Sequence, residues 1–172
     1  MTKSKDRGTY YEQKIAKHIR DRFSFDKWVC RRASSSGTEE LEFGDIVFND
    51  PTKFPAVIEC KFGYGWNFKA LWPDLNKIFI DFLDEAMIAG DKYRRTIGKE
   101  PVVFVVFSRP YWPQLVLTVH KLDINAVLKP KTSYVYNGVP YELYIYDLDD
   151  MLDYLGEEVF DDVRTDTTSE KD

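Results

Sequence analysis

The segments GDIVF (44–48), NDPTKFP (49–55) and AVIECKF (56–62) decide how this chain is read. The outer two are short apolar runs rich in β-branched residues, and together with Phe43 they predict strands over 43–48 and 56–62. The seven residues between them are turn formers. Strand alternation places Ala56, Ile58, Cys60 and Phe62 on one face and Val57, Glu59 and Lys61 on the other. In the first strand Ile46 and Phe48 share a face, and Asp45 and Val47 share the opposite one. Antiparallel pairing about Thr52 sets residue 48 against 56, 46 against 58 and 45 against 59. The apolar faces then coincide, and Asp45 stands across from Glu59. Two carboxylates about 5 Å apart repel. A cation between them removes the conflict, and an all-oxygen set with room for water favours Mg²⁺, with Mn²⁺ as a substitute. Lys61 projects to the same face, where an ammonium can hold or activate a water or stabilise charge on a phosphate. A plainer reading is also open, in which Asp45 caps a loop and Glu59–Lys61 is a surface ion pair worth under ~1 kcal/mol.

The rest of the chain builds outward from this pair. Tyr11, Ile15, Ile19 and Phe23 recur at helical spacing, and Thr9 with Glu12 forms a capping signature at the start of that helix. KWVCRR (27–32) reads as a strand and ASSSGTEE (33–40) as a loop. KFGYGWNFKALWP (61–73) reads as an aromatic, glycine-containing loop. Residues 74–95 form a long helix with Leu75, Phe79, Phe82, Leu83 and Ala86 on its buried side. PVVFVVFSR (101–109) is apolar throughout, the pattern of a strand covered on both faces. A further strand follows at 115–121 and a helical turn at 123–128. Asn137-Gly138 marks a two-residue hairpin, and a last short helix is stopped by Gly156. The order suggests an α/β architecture with one mixed sheet flanked by helices.

Composition narrows the classes. The chain has 172 residues, 44% hydrophobic and 31% charged, which fits one globular domain, read as residues 1–160, with an acidic, disordered tail at 161–172. Two cysteines exclude a disulfide scaffold and suit a reducing compartment. No apolar run is long enough to span a membrane. There is no dinucleotide fingerprint and no phosphate-binding P-loop, so no nucleotide cofactor is expected. The net charge is -5, yet residues 1–37 carry ten Lys/Arg against four Asp/Glu. A basic first segment on an acidic chain is compatible with nucleic-acid binding through one face.

GDIVF followed by VIECK resembles the PD-(D/E)XK nucleases, with Gly44 where the name-giving proline usually stands. RRASSSG (31–37) ahead of that pair is similar to the archaeal-type Holliday junction resolvases and their phage relatives. The resemblance covers about residues 8–120. It implies a restriction-endonuclease-like mixed central sheet and a Mg²⁺-dependent endonuclease leaving 5′-phosphate and 3′-hydroxyl ends. It also implies that Asp45, Glu59 and the Cys60 carbonyl are metal ligands and that Lys61 orients or activates water. Glu12 would complete the site through a metal-bound water or a second metal, the capping box being its other reading. Arg31, Arg32, Ser34, Ser35, Ser36 and Lys69 become candidate DNA contacts, although strand alternation prevents Arg31 and Arg32 from facing DNA together. Tyr64, Trp66 and Trp72 could stack on bases or cover a core. Ser108, Arg109 and Tyr111 could border the site. The resolvase branch implies branched DNA, a homodimer making paired symmetric nicks, and action in the cytoplasm of a bacterial or archaeal host. Two alternatives stay open: a restriction-like or general duplex endonuclease, and a catalytically silent DNA-binding module.

Overall fold

A computed structural model describes residues 3–34, 41–63 and 77–158. Its elements are α1 (Lys3–Phe23), β1 (Cys30–Arg32), β2 (Ile46–Phe48), β3 (Ala56–Phe62), α2 (Lys77–Ile97), β4 (Val102–Ser108), β5 (Leu115–Thr118), β6 (Tyr134–Tyr136), β7 (Val139–Tyr141), β8 (Tyr144–Asp147) and α3 (Leu148–Glu158). Six strands form a mixed sheet in the order β1-β2-β3-β4-β5-β8, and β6 and β7 pair separately. β3 and β4 run parallel, joined across the sheet by α2, while the other neighbours are antiparallel. This is the restriction-endonuclease-like α/β architecture, with three helices flanking the sheet. No described helix is long and apolar enough to cross a membrane.

Strand periodicity sorts the side chains into two cores. Ile46, Phe48, Ala56, Ile58, Cys60, Phe104 and Val106 point to one face, where they meet Tyr11, Ile15 and Ile19 of α1 and Met151, Leu152 and Leu155 of α3. Val57, Val103, Val105 and Phe107 point to the other, where Phe79, Leu83 and Ala86 of α2 cover them. β4 is therefore covered on both sides, as its unbroken apolar run requires. The β6–β7 hairpin lies over α2: the Tyr134 hydroxyl donates to Asp84 at 2.7 Å and the Tyr136 hydroxyl to Asp91 at 2.8 Å. Its turn uses Asn137 and Gly138 at φ 50° and 79°, the left-handed pair that a two-residue hairpin demands.

Several boundaries differ from expectation. The first helix begins at Lys3, so Thr9 lies inside it and caps nothing. Asp6 sits in the first turn, where a carboxylate favours the helix dipole. The first strand is confined to Cys30–Arg32 and the second to Ile46–Phe48. Residues 123–128 form no helical turn, because Leu128 exchanges both backbone hydrogen bonds with Ile145, at 3.2 and 2.8 Å, on the free edge of β8. The last helix runs through Gly156 to Glu158. A helical glycine costs about 1 kcal/mol, which the burial of Leu152 and Leu155 in the same helix exceeds. Ser35, Ser36, Tyr64, Trp66, Lys69, Trp72, Leu75 and the tail at 161–172 lie outside the described residues.

Candidate active site

Asp45 is placed by its neighbour Gly44. The chain bends there at φ +77°, and a Cβ on Gly44 would sit 2.6 Å from the Ile58 carbonyl oxygen. Proline, with φ locked near about −65°, is excluded from this conformation, so the departure from the motif's name has a geometric cause. Ile46 pairs with Ile58 in the expected register. Asp45 itself stands on the bend rather than in the strand, a correction to the direct cross-strand pairing with Glu59. It is held on three sides. Its N–H donates to Ile58 O at 2.8 Å, its carbonyl accepts from Ala33 N at 2.8 Å, and its Oδ2 accepts from Cys60 N at 2.8 Å.

The carboxyls of Asp45 and Glu59 still converge. The Glu59 side chain is 13% exposed, and its pKa is pushed up to about 8. Burial is the largest cause, followed by the Asp45 charge, against the opposing pull of Lys61, with a hydrogen bond to Asp45 adding to the rise. Near neutral pH, burial and the Asp45 charge therefore favour the protonated form of Glu59 in the metal-free site. Lys61 Nζ lies 3.5 Å from Glu59 Oε2, donates to Glu85 of α2, and stands 5.5 Å from the centre of the Phe82 ring. Burial alone disfavours its charge. The Glu85 hydrogen bond and the charges of Glu59, Glu85 and Asp45 outweigh that, and its pKa is raised. These contacts favour the ammonium form.

Nothing in the sequence singles out Glu85. It is one of several carboxylates on α2, and only the packing of that helix over β3 brings it to Lys61. Glu42 is a second such residue. Its buried carboxylate accepts Ser34 N at 2.7 Å, Ser34 Oγ at 2.9 Å and Arg31 Nη1 at 3.0 Å. Burial works to raise its pKa, and these partners together lower it. Arg32 points to the opposite face of β1, as alternation requires, and pairs with Glu12 of α1. Arg31 and Arg32 thus leave the sheet on different sides, each against a carboxylate. Cys60 is buried, and burial with the charges of Asp45, Glu59 and Glu12 raises its thiol pKa well above the ordinary range. That thiol fills the core and has no nucleophilic character.

The donor chemistry fits a hard divalent cation. A buried carboxyl held toward its protonated form beside a second carboxylate makes a site where a cation can take the place of the proton. Among the described residues no group of three His, Cys, Asp or Glu side chains is gathered closely enough to hold a metal ion. Glu12 is turned to Arg32 instead of joining Asp45 and Glu59.

A family model described as "Phage putative PDDEXK endonuclease" matches residues 3–168. Comparison with curated proteins and with solved structures finds no match to the chain. The family match takes in nearly the whole sequence, including GDIVF and VIECK, and the mixed sheet described above is the fold those motifs imply. The chain belongs to this PD-(D/E)XK endonuclease family.

Proposed function

We propose that the chain is a divalent-metal-dependent DNA endonuclease whose preferred substrate is branched DNA, a four-way junction first among such substrates. The observation that carries the catalytic part is the approach of the Asp45 and Glu59 carboxyls to each other beside the Lys61 ammonium. Asp45, Glu59 and the Cys60 carbonyl would hold Mg²⁺, or Mn²⁺ in its place. When bound, the cation supplies Lewis-acid polarisation of the scissile phosphate. Lys61 orients a water through its ammonium and offsets charge that builds on the phosphate. Glu59 must lose its own proton to serve as an anionic ligand, so cation affinity rises with pH. Glu12 would complete the site, through water or a second metal, after releasing Arg32. That arginine is then free for a phosphate oxygen. Arg31 and Ser34, on the Glu42 side, remain candidate phosphate contacts, as do Ser35, Ser36 and Lys69.

The branched-substrate part is supported by the resemblance of residues 31–37 and their neighbours to junction resolvases. It carries a homodimer with it, since paired symmetric nicks need two sites. The deciding experiment is cleavage of a labelled four-way junction beside linear duplex of the same sequence, in Mg²⁺, with Lys61→Ala as control. Paired symmetric nicks confined to the junction and absent in the variant support the whole reading. Cutting of both substrates keeps the nuclease and removes the junction. No cutting in either Mg²⁺ or Mn²⁺ overturns the mechanism.

A further inference from the structure

The turn that joins β4 to β5 ends in an aromatic side chain that the fold does not use. Trp112 N donates to Arg109 O at 3.1 Å, closing a four-residue turn with Pro110 and Tyr111 at its centre. Tyr111 has φ 67°. Proline at the second position and positive φ at the third are the signature of a type II turn, where glycine or asparagine normally stands. A tyrosine there is strained. It gains nothing from burial in return, because its side chain is fully exposed.

The surroundings of Tyr111 are firmly held. The buried Ser108 hydroxyl lies 3.2–3.3 Å from the carbonyls of Arg109, Trp112 and Pro113. The Arg109 guanidinium packs 5.0 Å from the centre of the Trp112 ring. Prolines at 110 and 113 stiffen both sides of the tip. The turn also lies at the end of the sheet where the carboxylates are. Ser108 pairs with Phe62 across the parallel β3–β4 ladder, and Lys61 pairs with Phe107. Tyr111 is therefore three residues beyond the register partner of the residue that follows Lys61.

We propose that Tyr111 is a stacking contact for an unpaired DNA base next to the cut site. This rests on the nuclease reading above and adds to it the feature of the substrate that this turn recognises. A flat, rigidly presented aromatic ring offers its face to any base, and stacking is tolerant of sequence. A base within a continuous duplex keeps its own stacking neighbours. A base at a branch point, bulge or mismatch lacks one of them and has a free face.

The test compares the full-length chain with Tyr111→Gly and Tyr111→Phe. Binding is measured with Ca²⁺ in place of Mg²⁺, on a duplex carrying one unpaired 2-aminopurine and on a fully paired duplex of equal length. Tyr111→Gly relieves the positive φ, so its melting temperature stays equal or rises, which keeps misfolding out of the comparison. Its affinity for the unpaired-base duplex falls about tenfold, and quenching of the 2-aminopurine is lost. Its affinity for the paired duplex changes less than twofold. Tyr111→Phe behaves as the parent in every respect. If the parent chain cuts DNA while Tyr111→Gly retains its affinity and quenching on the unpaired base, this inference is wrong and the nuclease reading stands. If the parent neither binds nor cuts any DNA, both fall together.

Discussion

The two faces of β3 share one backbone and have opposite characters. Toward α1, Ala56, Ile58, Cys60 and Phe62 enter an apolar core that continues to α3. Toward α2, Val57 is fully buried among apolar side chains, yet the next two residues on that face are Glu59 and Lys61. The change occurs within three residues and coincides with the Gly44 bend, which brings Asp45 alongside, and with the α2 segment that carries Phe82 and Glu85. A strand anchored by one dry face can carry costly charges on the other. Burial of Glu59 beside Asp45 is unfavourable by itself, and the α1-side packing holds the strand in place regardless.

The sharpest way to break this comparison is at Lys61. Lys61→Ala should reduce DNA cutting by about 10²–10³-fold, the scale for loss of one preorganised charge-stabilising group, with little change in melting temperature. Nicking of labelled DNA together with a thermal melt reads both. A matching loss of stability would mean that the charged face is structural. Next comes the opposite face. Ile58→Ala should cost about 2–5 kcal/mol of stability, seen as an earlier midpoint in urea, while the protein that remains folded still cuts.

Glu59 gives the third prediction. Its folded pKa of about 8 lies above the ordinary 4.5. Between those values the native state keeps a proton that the unfolded chain has released. Metal-free stability therefore falls as pH rises from 4.5 to 8 and levels off on either side. Half-buried His120, whose pKa is lowered by desolvation, acts oppositely below its ordinary 6.5, so the comparison is made with Glu59→Gln. That variant should gain up to about 4 kcal/mol over the parent at pH 8.5 relative to pH 4.5, measured by urea melts in the presence of a chelator. Equal pH profiles would show that the fold does not hold Glu59 in its protonated form. The smallest effect belongs far from β3. Asn137→Ala forces alanine to φ 50° and should cost about 1 kcal/mol, with DNA cutting unchanged.

What could be read in advance follows the same division. β3 was legible to the residue, because alternation over seven positions leaves no other register. The Asn137-Gly138 turn was legible because its chemistry admits one geometry. The long helix was visible in its apolar stripe, with Phe79, Leu83 and Ala86 buried as the stripe requires. The Thr9–Glu12 capping pattern misled, since a local hydrogen-bond signature says nothing about helical residues before it. Gly156 misled for a related reason: a weak local preference lost to the burial of its helix neighbours. Asp45 and Glu59 could be paired from sequence, but the Gly44 bend that aligns them could not, because it depends on how closely Ile58 approaches. Glu85 and Glu42 follow no spacing rule. Their partners lie 24 and 11 residues away along the chain, at Lys61 and Arg31, and only tertiary packing joins them.

The Gly44 bend also decides which residues this position can accept. The backbone lies in territory that no proline can enter, and the Ile58 carbonyl occupies the space a Cβ would need. Any side chain here would require β3 to shift, and β3 cannot shift without disturbing Asp45, which it holds through Ile58 and Cys60. A residue with no side chain thus acts as the keystone for one that has a charge.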